Sequence, residues 1–148
     1  MRICFGQLKR LACTLLLIGL LTGLLSGCSG MGDWSVTGLP GGYEVWRIHA
    51  DNVVLCLPKE TNPGSATPVV DGCVISIAYT DEVICVEQVE PPEDIHEKLD
   101  TSNPNYYIVV VEDGTCYGPL DPQGFNDQLD ELGVSKDLSW ADPEALSH

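Results

Sequence analysis

The stretch VVDGCVISIAYTDEVICVEQV, residues 69–89, decides the fold class. Its two flanks, Val69 to Tyr79 and Val83 to Val89, are dense in Val and Ile, and Thr80-Asp81-Glu82 between them is too short and polar to extend either. The stretch therefore reads as a β-hairpin. With Asp81 and Glu82 as a two-residue turn, Thr80 faces Val83 and Cys85 faces Ala78.

Outward toward the C-terminus, Pro91-Pro92 stops the second strand and Glu93 to Leu99 has the composition of one or two helical turns. Asn103-Pro104-Asn105 is a loop, and Tyr106 to Glu112 is the strongest β segment of the chain. Asp113-Gly114 is the preferred type I′ dipeptide and leads into a strand over Thr115 to Tyr117. Asp121 then caps a helix with Pro122 at its first position. Phe125, Leu129 and Leu132 fall at i, i+4 and i+7 as one apolar stripe, and Gly133 ends the helix. A second, shorter helix starts at Asp142-Pro143.

Outward toward the N-terminus, residues 59–68 are a surface loop, and Tyr43 to Leu57 is extended but broken near Ala50-Asp51-Asn52. Leu39-Pro40-Gly41-Gly42 fits a type II turn behind a short strand over Asp33 to Thr37. The sum is an α+β fold, mostly antiparallel β-sheet with one C-terminal amphipathic helix packed on it.

Before residue 33 the chain changes character. Arg2, Lys9 and Arg10 are its only charges, and nine of the first 27 residues are Leu. The uncharged run Leu11 to Leu25, at about 1.5 Å per residue, spans roughly 22 Å, short of the roughly 30 Å needed to cross a bilayer. It reads as the apolar part of a signal peptide. Leu25-Ser26-Gly27-Cys28 follows, and this motif resembles the lipobox of bacterial lipoproteins. The resemblance implies cleavage before Cys28 by signal peptidase II, a diacylglyceryl group on its thiol and, usually, an acyl group such as palmitate on its new amino group. Chains worth about 0.8 kcal/mol per buried methylene hold such a protein at the membrane when two or three act together. The expected organisation is a signal peptide over 1–27, the lipidated Cys28 and a short tether over 28–32, and a single acidic β-rich domain over 33–148. Ser29 after the cysteine implies, by the enterobacterial sorting rule, the outer rather than the inner membrane, with the domain facing the periplasm or the cell surface.

Removing residues 1–27 leaves 121 residues with four basic side chains, Arg47, Lys59, Lys98 and Lys136, against all 22 acids, a net charge of −18 compared with −15 for the whole chain. Nothing in that balance could neutralise a row of phosphates, so nucleic acid is excluded as a partner. A basic protein is the partner such a surface steers in. Four cysteines remain, Cys56, Cys73, Cys85 and Cys116, and an even number in an exported protein reads as disulfides rather than zinc ligands or free thiols. The hairpin register puts Cys73 about 16 Å from Cys85, beyond the roughly 7 Å limit of a bridge. Of the two pairings left, Cys56–Cys73 with Cys85–Cys116 is preferred.

The chemistry-bearing residues form no familiar constellation. His49 stands two residues from Asp51, but no G-x-S-x-G elbow supplies a nucleophile. His96 lies in an acidic segment with Glu93, Glu97 and Asp100, a single unit where a dinuclear site needs two. His148 is the last residue. The four carboxylates within 121–131 miss the EF-hand spacing, and no glycine-rich phosphate loop is present. No catalytic, metal or cofactor site is expected. Trp34, Tyr43, Trp46 and Arg47, grouped around Pro40-Gly41-Gly42, are the candidate interaction surface, because Trp, Tyr and Arg dominate interface hot spots. The segment LPGGYEVWRI, residues 39–48, also resembles a stretch of small bacterial lipoproteins of unknown activity, a likeness that implies no reaction. The expectation is a non-enzymatic binding or structural module of the cell envelope. An immunity or inhibitor protein that docks a basic toxin or hydrolase is the alternative, and a cell-envelope hydrolase using His49 or His96 the second.

Overall fold

The computed structural model of the chain describes residues 34–49, 51–58, 67–94 and 97–147. The signal-peptide, lipobox and tether expectations, Cys28 among them, lie outside these residues, as do most of the 59–68 loop, His96 and His148. The first sheet holds β1 (Trp34–Val36), β2 (Glu44–His49), β3 (Asn52–Cys56) and β4 (Pro68–Val70). The second holds β5 (Cys73–Tyr79), β6 (Val83–Val89), β7 (Asn105–Val110) and β8 (Cys116–Leu120). In both, spatial order follows chain order and every neighbouring pair is antiparallel. One helix, α1 (Pro122–Leu132), comes next, and a short 3₁₀ turn covers Pro143–Ser147.

The single expected sheet is thus two, and alternation along the strands shows how they layer. Val45, Val53, Leu55 and Val70 from the first sheet share one core with Val74, Ile77, Ile84, Val86 and Val109 from the second. On the far face of the second sheet, Ala78, Val83, Cys85 and Ile108 pack with Phe125, Leu129 and Val134. The order of layers is sheet, sheet, helix. β6 sits between the other two layers, with Ile84 and Val86 on one face and Val83 and Cys85 on the other. Burial on both faces is why Val83-Ile84-Cys85-Val86 runs apolar without alternation.

The hairpin has the expected register. Ala78 is opposite Cys85 and Tyr79 opposite Ile84, and the Thr80 N–H donates to the Val83 carbonyl at 2.9 Å. The expected strand over Val69 to Tyr79, however, is two strands of different sheets. Gly72 breaks it at φ +88, where a Cβ would strain the backbone, and the carboxylate of Asp71 accepts the Gly72 N–H at 2.9 Å. That kink hands the chain from the first sheet to the second.

Five further local expectations are sorted by hydrogen bonds. Leu39 to Gly42 is the type II turn, with Gly41 at φ 68, ψ 6 and the Gly42 N–H donating to the Leu39 carbonyl at 3.1 Å. Asp113-Gly114 is not a two-residue turn. The loop is the four residues Val111 to Gly114, because the Val110 N–H donates to the Thr115 carbonyl at 2.8 Å and the Gly114 N–H to the Val110 carbonyl at 2.9 Å. No helix forms among the described residues of 93–99, where a single turn closes from the Glu97 N–H to the Asp94 carbonyl. The C-terminal helix is as read: Asp121 Oδ1 accepts the Gly124 N–H at 2.7 Å, and the Val134 N–H closes the far end on the Leu129 carbonyl at 3.0 Å. The segment after Asp142 is a 3₁₀ turn, and just before it Ala141 exchanges two 2.9 Å backbone bonds with Ile77, covering part of the β5 edge.

The disulfide expectation is overturned, for Cys56, Cys73, Cys85 and Cys116 are all free thiols. Cys85 pairs with Ile108 and Cys116 with Val109, so β7 stands between the two cysteines. Two strand spacings are about 10 Å, past the reach of a bridge. Cys56 lies opposite Glu44 on the face of β3 turned away from Leu55, whereas Cys73 opens the other sheet opposite Val89. Cys73 and Cys85 are themselves kept about 13 Å apart by the four residue steps from Cys85 to Val89, the partner of Cys73.

Candidate functional site

The expected aromatic surface does not assemble. Tyr43 is only 3 % exposed and belongs to the core between the sheets. Trp46 lies on the opposite face of β2 from Val45, where its Nε1 donates to the Glu44 carboxylate at 2.9 Å. Only Trp34 and Arg47 are brought together, as cross-strand partners. They line a hollow of about 420 Å³ with Asp51, Asp142 and Glu144, and the Arg47 guanidinium stands 3.9 Å from the Glu144 carboxylate. Positive charge there is already met by acid, which leaves the hollow little to offer an anion.

A larger cleft, of about 900 Å³, opens at one end of the two sheets. β3 begins there, β4 ends, β5 begins and β6 ends, so the connections Asp51-Asn52, Asp71-Gly72-Cys73 and Glu90-Pro91-Pro92 meet. Each carries a carboxylate, Glu97 adds a fourth, and no Lys or Arg lines the cleft among the described residues. Tyr107, from the middle of β7, supplies a ring.

The floor is fixed. Gln88 is 4 % exposed, its Nε2 donates to the Val89 carbonyl at 2.9 Å, and its Oε1 accepts from the Asn105 amide at 3.3 Å. Gly72 lies so close that a Cβ there would stand 2.8 Å from the Gln88 nitrogen. At the side, the Oδ1 of Asn52 is shut off from solvent and accepts no hydrogen bond.

The acids act on their surroundings. Burial pushes the Cys73 thiol up, and Asp51 and Glu90 push it further. The Tyr107 hydroxyl is raised by burial first, then by Glu90 and Cys116. Outside the cleft lining, burial with Glu44 and Asp71 drives Cys56 up to about 11. A thiol pushed upward is held protonated, the opposite of what a nucleophilic cysteine requires. Among the described residues no three of His, Cys, Asp and Glu converge closely enough to hold a metal ion. The chemistry on offer is negative potential and hydrogen-bond acceptance over a partly apolar surface.

Asp71 and Glu90 do not stand out in the sequence, where they look like ordinary turn and strand-end residues, and Asp51 and Glu97 are singled out there only as neighbours of His49 and His96. The signal of the cleft acids is topological, because in two antiparallel meanders alternate strand ends fall on one side. Fold and cleft together define a small sandwich backed by one helix, with an acidic mouth where the sheets part. Residues 40–144, more than two thirds of the chain, match a family described as a protein of unknown function (DUF3997), and the chain belongs to that family. The matched span runs from the Pro40 turn to Glu144 and contains every residue of the cleft. No curated protein and no solved structure matches the chain.

Proposed function

We propose that this protein is a bacterial lipoprotein of the cell envelope, held at the membrane by lipid on Cys28, whose folded domain is a non-enzymatic binding module working through the acidic cleft. The observation that carries the binding function is the cleft itself, about 900 Å³ with four carboxylates, no basic lining residue among the described ones, and a floor fixed by the Gln88 hydrogen bonds. Concavity, partial apolarity and a few pre-oriented polar groups are what a binding site needs. The basic, Leu-rich leader and Leu25-Ser26-Gly27-Cys28 support the anchor. From Cys28 to Trp34 the chain reaches at most about 20 Å, which keeps the module beside the membrane. The charge of the mature chain favours one narrower form of the reading, an immunity or inhibitor protein whose partner is a basic toxin or hydrolase.

Two measurements test the proposal. Labelled palmitate is incorporated by the wild type and lost in Cys28→Ala; equal labelling of both defeats the anchor. A photo-cross-linker at Glu97, used in intact envelopes, captures a discrete partner, and the absence of any adduct defeats the binding module.

A further inference from the structure

Building on the reading of the domain as a binding module, we infer that the cleft docks an extended, lysine-bearing segment of a partner protein, with an ammonium group between Asp51 and Glu90 and its methylene stem along Pro91, Pro92 and Tyr107. The lining offers acceptors in excess, the carboxylates of Asp51, Asp71, Glu90 and Glu97. Asn52 lines the cleft beside them, but its Oδ1 is closed to solvent, so the acceptors open to a ligand are the carboxylates. An ammonium group brings three donors and a positive charge.

Between the acids the surface is proline and tyrosine, which suits an alkyl stem and a cation over a ring face. A compact metal ion gains nothing from that surface, and no three ligands converge on one point among the described residues. The volume lies near the top of the range for small-molecule pockets, about 300–1,000 Å³, with room for a short run of residues beyond one side chain. Gln88 separates a peptide from a free polyamine. Its Nε2 has one hydrogen and its Oε1 one lone pair left after the bonds to Val89 and Asn105, and these complement a backbone C=O and N–H. A polyamine carries no carbonyl for the first.

The test is calorimetric titration of the full-length, lipidated chain in detergent with a blocked hexapeptide of alternating glycine and lysine. The peptide is expected to bind one to one, at least tenfold tighter than spermidine, while the matching glycine–glutamate peptide does not bind. Asp51→Asn combined with Glu90→Gln lowers the affinity at least tenfold with no fall in Tm. Should that pair fail to fold, raising sodium chloride from 50 to 500 mM on the wild type gives the same readout, a loss of at least tenfold. Equal affinity for spermidine, wild-type affinity in the double variant, or salt-independent binding overturns the inference. If the Glu97 cross-linker captures a partner while the lysine peptide fails to bind, the occupant assigned here is wrong and the binding module stands; if no partner is captured, the module falls with it.

Discussion

At the scale of single residues, the free thiols carry the sharpest consequence. Losing a native disulfide removes about 2–5 kcal/mol from a small exported domain. With Cys56, Cys73, Cys85 and Cys116 unbridged, dithiothreitol is expected to leave Tm unchanged within about 1 °C, as differential scanning fluorimetry will show. Iodoacetamide mapping is expected to mark the exposed Cys116 first. Cys85, fully buried and pushed up to about 12 by burial alone, is marked only once the protein unfolds. A fall of several degrees on reduction would restore the bridges.

Asp113 gives the pH-dependent counterpart. The N–H of Thr115, 2.9 Å from its Oδ1, holds this carboxyl below its ordinary value of 3.8. A group with its folded value below its unfolded one contributes stability above the unfolded value and loses it as pH falls through the folded one. The Tm advantage of wild type over Asp113→Ala is therefore expected to be full at pH 6 and to shrink steadily below about pH 4. A constant advantage down to pH 2 would detach the effect from ionisation.

Among the elements, α1 is the one whose energetics are most local. Asp121→Ala removes the acceptor of the Gly124 N–H and is expected to cost about 1 kcal/mol. Leu129→Ala opens space under the helix, in the cluster with Phe125 and Ile108, and is expected to cost about 2–5 kcal/mol. Urea titration of the two variants ranks them in that order, and the reverse order would mean that α1 is held by its cap rather than by its buried face. The same locality explains what the sequence reveals. The Asp121 cap, the Phe125–Leu129 stripe, the Leu39–Gly42 turn and the pairing of Ala78 with Cys85 each depend on residues within a few positions, and all are legible there. Whether Val69–Val70 and Val74–Ile77 share a sheet depends on one positive φ at Gly72 and on which surfaces later strands cover. Val111 and Glu112 read as strand by composition, yet they lie in the loop because the bond from Val110 to Thr115 closes first. Tyr43 and Trp46 differ by odd spacing and a face, which the aromatic grouping alone could not separate. Cys56 and Cys73 show the same limit, since their separation follows from the two sheets and not from their spacing.

For the whole molecule, the question is why four carboxylates share one cleft on a chain already far from neutral. Such an excess keeps a protein soluble but strains its compact form through self-repulsion, and gathering acids at one mouth adds to that strain. Solubility alone is served as well by spreading them out. If Asp51 and Glu90 were structural, neutralising them would lower stability; if they are kept for a cationic ligand, it would raise it. Asp51→Asn with Glu90→Gln is therefore expected to raise Tm by about 3–6 °C at 10 mM salt, the shift produced by about 1 kcal/mol in a domain of this size. The gain should vanish at 1 M salt, where charges are screened beyond about 3 Å. Thermal scans at the two salt concentrations decide the matter. A lower Tm, or a gain that survives at 1 M, would mean that the two acids hold the sheet ends together, whereas a gain confined to low salt marks a cleft whose charge is kept for what it binds at the expense of the fold that carries it.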